Sequence, residues 1–281
     1  MRFFLLSMTL VAALCGTATQ TFAAAYGSSI LNTSNVRLQY FNGSSWVDAT
    51  TSQATLFSST ILSQSTATLG ASTQSSGLVS GFNAPQSFVS PTLSPPAELA
   101  SPPLTGLGSS ATDSFARGDT LGSGSTIISG SINASTLAEL NALGSLSGFA
   151  NGNVGGTSIF QVNVSQTGSY RLAYTAGLSM QTTGDAYSTS EFRVQVNGSG
   201  VAIDYADPLL NRSISGTDTV SVGPTQFFSP VATLTALSPI YIFTINQNST
   251  VGANVIPEPT SLAIFGLMST GTILVRRRRR G

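Results

Sequence analysis

The sequence has no histidine, and all eleven of its Lys or Arg positions are arginine, so lysine is absent too. Its single cysteine, Cys15, lies near the N-terminus. These absences exclude histidine-based triads, serine–lysine dyads and ordinary zinc sites. Beyond residue 15 they also exclude a cysteine nucleophile and any disulfide. Charged residues are 8% of the chain, against about 25% in an average globular domain. Nucleic-acid binding draws its affinity from clustered lysine and arginine, so no nucleic-acid partner is expected. Trp46 is the only tryptophan.

What is present is concentrated first at the two ends. Arg2, an apolar stretch over residues 3–14 and Ala23-Ala24-Ala25 have the three parts of a secretory signal peptide. Cleavage directed by Ala23 and Ala25 makes Tyr26 the expected mature N-terminus, by signal peptidase. Cys15 follows Leu14 rather than the small residue a lipobox needs, and is read as part of the signal. At the other end Ile256-Pro257-Glu258-Pro259 precedes an apolar run over residues 260–275, and then come Arg276, Arg277, Arg278, Arg279 and Arg280. Sixteen residues span roughly 24 Å as a helix, slightly less than a ~30 Å hydrocarbon core. A transmembrane helix is therefore expected there, with the arginines as the membrane stop on the cytoplasmic side and everything before Ile256 outside. Pro257 and Pro259 disfavour helix, which leaves Glu258 on an extended, accessible peptide.

This order of Pro-Glu-Pro, short apolar segment and arginine cluster resembles the PEP-CTERM sorting signal of bacterial envelope proteins. The resemblance covers the tail only. It implies recognition by an exosortase-type membrane protease, cleavage near Pro257, Glu258 and Pro259, and passage to the cell surface or extracellular matrix. An ordinary stop-transfer anchor is the plainer alternative.

Between the ends, residues 26–256 hold five arginines and ten acids, a net charge of −5. With no disulfide to staple it, this exported region needs a packed core. Val36-Arg37-Leu38-Gln39-Tyr40 alternates apolar and polar residues, and Asn42-Gly43 turns it towards Trp46-Val47, a hairpin. Residues 54–69 are expected to hold one or two strands. Six prolines between positions 85 and 103, followed by Gly and Ser, predict a surface loop or linker over 84–126. Thr136-Leu137-Ala138-Glu139 has the form of a capping box, and with Gly144 as a stop it predicts a short helix.

Beyond residue 157 the alternation is strongest. Ile159-Phe160-Gln161-Val162-Asn163-Val164 and Tyr170-Arg171-Leu172-Ala173-Tyr174 are expected to pair across a short turn. Glu191-Phe192-Arg193-Val194-Gln195-Val196 is expected to pair with residues 201–205 through Asn197-Gly198-Ser199-Gly200. A last pair is expected from residues 231–237 and 240–245. Many short strands with Gly and Asn turns predict an all-β, antiparallel β-sandwich. Tyr170, Leu172, Tyr174, Phe192, Val194 and Val196 should lie in its core. The expected organisation is a signal over 1–25, a β segment over 26–83, the loop over 84–126, the sandwich core over 127–254 and the sorting tail over 255–281. Gly168-Ser169-Tyr170-Arg171-Leu172 and the strand from Phe192 resemble jelly-roll domains of exported proteins and carbohydrate-binding modules, a resemblance that implies an exopolysaccharide partner.

Carboxylates are the remaining catalytic groups. Two acids across a cleft suffice for glycoside hydrolysis, and Asp185, Glu191, Asp204 and Asp207 are the candidates, although each also fits a turn or an exposed strand position. No Asp-rich loop marks a calcium site, and no cofactor is expected. Arg117-Gly118-Asp119 spells an adhesion-type tripeptide that composition alone explains. Trp46, Tyr187, Tyr205 and Phe227-Phe228 are either core plugs or sugar-stacking rings. The reading is an exported, non-catalytic surface or matrix protein with a structural or adhesive role. A polysaccharide-binding module is the alternative, and a carboxylate-dependent carbohydrate enzyme follows behind.

Overall fold

The computed structural model describes residues 24–76, 79–81, 86–89, 114–143, 148–236 and 240–255. The first half of the chain supplies β1 (Ala25–Phe41), β2 (Trp46–Asp48), β3 (Ala54–Leu69), β4 (Ser72–Ser75), β5 (Val79–Gly81), β6 (Gln86–Val89), β7 (Phe115–Ser123) and β8 (Ile132–Ala142). The second half supplies β9 (Gly148–Val164), β10 (Gly168–Thr183), β11 (Ala186–Gly198), β12 (Val201–Ala206), β13 (Arg212–Ser215), β14 (Asp218–Phe228), β15 (Ala232–Leu234) and β16 (Tyr241–Val255). Among the described residues there is no helix. The first sheet runs β14-β10-β1-β8-β7-β6, with β15 on β10 and β2 on β1. The second runs β12-β11-β16-β9-β3-β4, with β13 on β11 and β5 on β3. Every pairing is antiparallel.

Alternation along the strands turns one face of each sheet inward, and the two inward faces pack on each other as a β-sandwich. Tyr170, Leu172 and Tyr174 of β10 meet Phe192, Val194 and Val196 of β11 and Tyr241, Phe243 and Ile245 of β16 in one core. All six core residues expected from the sequence are buried. Burying each such side chain is worth about 1.5–3 kcal/mol.

The space between the sheets narrows towards the other end. β10 passes into β11, from one sheet to the other, through the two-residue turn Gly184-Asp185. Gly184 has φ +63°, a left-handed backbone that favours glycine. So short an arch holds the layers close, and the second core cluster is accordingly built from small residues, among them Ala25, Ala116, Ala138, Ala150, Ala186 and Ala253. A Cβ on Gly152 would stand 2.6 Å from the Arg117 carbonyl oxygen. Serine and threonine replace apolar bulk here and bond across the gap. Ser29 Oγ donates to Thr189 O at 3.0 Å, Ser188 Oγ donates to Ser28 O at 2.9 Å, and the Thr136 and Ser249 hydroxyls share a bond of 2.9 Å. Gln247 Nε2 donates to Thr33 Oγ1 in the same layer. These bonds supply partners for polar groups that burial would otherwise penalise.

Several expectations are corrected. Residues 136–142 form part of β8 rather than a helix, paired along their length with β1 on one side and β7 on the other. Two ladders outweigh a local capping signal worth about 1 kcal/mol. Residues 159–164 and 170–174 do not pair with each other, because β9 belongs to the second sheet and β10 to the first. The link between them is an arch between layers, held by Tyr170 Oη donating to Gln166 O at 2.7 Å and Ser165 N donating to Gln53 O at 2.8 Å. β15 and β16 likewise lie in different sheets, so the expected last pair does not form. The segment expected as a loop, 84–126, contributes β6 and the buried strand β7. The β1–β2 and β11–β12 hairpins form as expected, and residues 54–69 make one long strand.

Candidate functional site

The sorting residues Pro257, Glu258, Pro259, Arg276, Arg277, Arg278, Arg279 and Arg280, the apolar run before the arginines, and Ala23 lie outside the described residues. Ala25 opens β1, buried and opposite Ala142. Beside it the Tyr26 hydroxyl donates to Glu139 Oε1 at 2.8 Å. Glu139 Oε2 accepts from Arg117 Nε at 2.9 Å and stands 2.7 Å from Arg117 Nη2. Both charged side chains are buried, at 4% and 0% exposure. Arg117 and Glu139 are cross-strand partners of β7 and β8 on the face of the first sheet turned away from the second. The Arg117-Gly118-Asp119 tripeptide is therefore the buried interior of a strand, unavailable to a receptor. Burial, with the Glu139 charge beside it, raises the Tyr26 phenol pKa above its ordinary value.

The four acids singled out for catalysis are not brought together. Asp207 is buried, and its carboxylate caps a turn by accepting from Leu209 N at 2.9 Å, Tyr205 Oη at 3.2 Å and Tyr174 Oη at 3.4 Å. Burial first, and then the charge of Asp207, raises the pKa of both tyrosines. Asp185 occupies the arch between β10 and β11. Asp204 pairs with Arg193 at 3.1 Å and stands opposite Gln195, four residues along β11 from Glu191. Four residues of strand measure about 13 Å at ~3.3 Å each, beyond the ~6.5–9.5 Å over which two carboxyl groups flank a glycosidic bond in an inverting hydrolase. Among the described residues no three His, Cys, Asp or Glu side chains gather as metal ligands.

The aromatic candidates divide by face. Tyr205 and Phe227 belong to the core or its margin. On the outer face of the first sheet the Arg171 guanidinium lies 4.3 Å from the Trp46 ring centre and 3.7 Å from that of Phe228, while Phe41 meets Trp46 at 5.4 Å. Arg171 Nε donates to Gln39 Oε1 at 3.0 Å, and Gln39 Nε2 donates to Asp48 Oδ1 at 3.2 Å. This stack ties β1, β2, β10 and β14 together by cation–π contact. Partial burial lowers the Arg171 pKa.

On the outer face of the second sheet an open groove of about 460 Å³ is lined by Glu191, Arg193, Ala206, Asn211, Asn246 and Asn248. Glu191 and Arg193 project from β11, and the facing Asn248 and Asn246 project from β16, because these positions alternate with buried Phe192, Gln247 and Ser249. Thr157 Oγ1 donates to Asn246 Oδ1 at 2.9 Å, which turns the Asn246 amide nitrogen away from its neighbour. Asn211 is spent on structure, donating to Phe192 O and Asp207 O at 2.7 and 2.6 Å. Farther along β11, Tyr187 pairs with Gly252 of β16, and a Cβ on that glycine would lie 2.4 Å from the Tyr187 ring. The ring thus lies across the sheet where glycine makes room.

Sequence reasoning missed both this polar face and the buried Arg117–Glu139–Tyr26 network. The first had a visible signal, the alternation Thr244, Asn246, Asn248, Thr250 between buried residues. The second had none, since only the register of β7 and β8 brings the two charges opposite. Compared with known proteins, the chain matches no family model, no curated protein and no solved structure.

Proposed function

We propose that the chain is an exported protein of the cell surface or extracellular matrix, with a structural or adhesive role, delivered by a sorting tail of the PEP-CTERM kind. The observation that carries this reading is the tripartite segment of Pro257-Glu258-Pro259, apolar run and five arginines. The N-terminal signal segment, cut beside Ala23 and Ala25, supports it. On this reading signal peptidase and an exosortase-type protease are processing partners, and the membrane holds the chain through the 260–275 segment until the tail is cut.

The region between is read as a non-catalytic, jelly-roll-like sandwich. Supporting this are the lack of histidine and lysine, the separation of Glu191 from Asp204, and the turn-capping role of Asp207. Strands that change sheet at the ends of β9, β10 and β15 agree with the jelly-roll reading.

The test is Glu258→Ala. Loss of tail recognition should leave a longer form retained in the membrane fraction. Equal mass and equal surface delivery of the variant would overturn the sorting reading.

A further inference from the structure

We propose that the outer face of the second sheet, from Tyr187 to the groove at Glu191 and Asn248, is a binding site for a neutral, hydroxyl-rich glycan chain. This deepens the matrix reading above by naming the ligand class and the site. It begins with the functional groups that the fold leaves unspent. Glu191 is exposed, and neither its carboxylate nor the side-chain amide of Asn248 has a hydrogen-bond partner among the described residues. Asn246 has only its oxygen engaged, by Thr157. One groove therefore presents a carboxylate acceptor, a complete amide and an amide donor, the groups that bond to vicinal hydroxyls by donating and accepting at once.

The second observation is Tyr187. Its half-buried ring lies across Gly252, and its hydroxyl has no partner among the described residues. A ring held against a sheet offers an apolar surface to the C–H face of a sugar with little entropy to lose. Tyr187 and Glu191 are four residues apart on one strand, about 13 Å, so the site suits an extended oligosaccharide better than a single ring. Gly155, the β9 partner of Asn248, has open space where a Cβ would stand and carries a low, flat floor on past Asn248.

Charge selects among glycans. The groove's one arginine, Arg193, is matched by Asp204, whereas Glu191 is not matched by any cation among the described residues. A uronate-rich chain would meet this uncompensated negative charge. A neutral chain would meet only donors and acceptors.

The experiment is titration calorimetry of the full chain against three soluble polysaccharides: a β-glucan, a mannan and alginate. The proposal expects saturable binding to at least one neutral polymer and none to alginate. Tyr187→Ala and Asn248→Ala should each weaken binding about tenfold or more. Ser179→Ala, on the exposed face of the other sheet, should leave it unchanged. Because Tyr187→Ala also removes packing on Gly252, Gly155→Val serves as a second variant that raises the surface beside Asn248 without a clash and should weaken binding as well. No binding to any of the three, or binding to alginate alone, overturns the proposal. So does neutral-glycan binding that survives all three site variants. Such a failure leaves the sorting reading intact, since Glu258→Ala tests that separately by mass and location.

Discussion

Replacing Arg117 with methionine leaves the Glu139 carboxylate buried at 0% exposure without its cation. The pair is joined through Nε and Nη2 at 2.9 and 2.7 Å, geometry in which removal of one partner of a buried ion pair costs about 3–5 kcal/mol. Set against a total stability of about 5–15 kcal/mol for a domain, that is about a fifth or more of the whole. Glu139→Leu should cost a similar amount, because it takes a buried carboxylate from the Arg117 guanidinium and also takes the acceptor from the Tyr26 hydroxyl. The double variant Arg117→Met/Glu139→Leu should be more stable than the two single losses added together, since the charge that each single variant leaves facing a missing partner is removed with it. Its residual cost should be about 1–3 kcal/mol for the phenol, which keeps its hydrogen bond with Ser28 but loses its carboxylate acceptor, and adding Tyr26→Phe should recover part of that. Urea unfolding followed by the fluorescence of Trp46, the one tryptophan, reads each variant by linear extrapolation. Single variants within about 0.5 kcal/mol of the parent, below the ordinary range for core changes, would refute this reasoning. Strictly additive losses in the double variant would refute it too, because they would mean that the two charges do not interact.

Three further outcomes are expected. Gly152→Ala should destabilise the chain by about 1–3 kcal/mol, since a Cβ would press on the Arg117 carbonyl and part the sheets; an unchanged urea midpoint would show that the layers are not so close. The pKa values of Tyr26, Tyr170 and Tyr174 are raised, mainly by burial. The folded chain therefore keeps these protons where the unfolded chain begins to lose them, near pH 10. Stability is intact below that pH and falls as pH rises above it, by up to about 1.4 kcal/mol per pH unit for each buried tyrosine; tyrosinate absorbance equal to that of all seven tyrosines near pH 10, reached without unfolding, would contradict this. Arg171→Ala should cost about 1–2 kcal/mol through two lost cation–π contacts and shift the Trp46 emission, whereas an unaltered spectrum would argue against the stack.

The all-β class and the core were legible because period-2 alternation is a local property. Phe192, Val194 and Val196 declare a buried face whatever strand lies beside them. The partner of a strand is not local. β9 and β10 look like a hairpin because three residues separate them, yet each already has both edges filled by others, so the link becomes an arch. β8 misled for a related reason: Thr136, Glu139 and Leu140 carry a helical signature, and only pairing with β1 and β7 on both sides decides otherwise. At the candidate groove, Glu191 was legible as an exposed strand residue, but its meeting with Asn248 depends on the β11–β16 register, which joins positions about sixty residues apart in the chain.

The most direct test of the proposed function is the intact mass of the protein recovered from its native envelope or medium. The account predicts a species beginning at Tyr26 and ending near Pro257 to Pro259, with or without the added mass of an anchor. A species that still carries Arg276 to Arg280 would contradict it and leave a plain single-pass membrane protein.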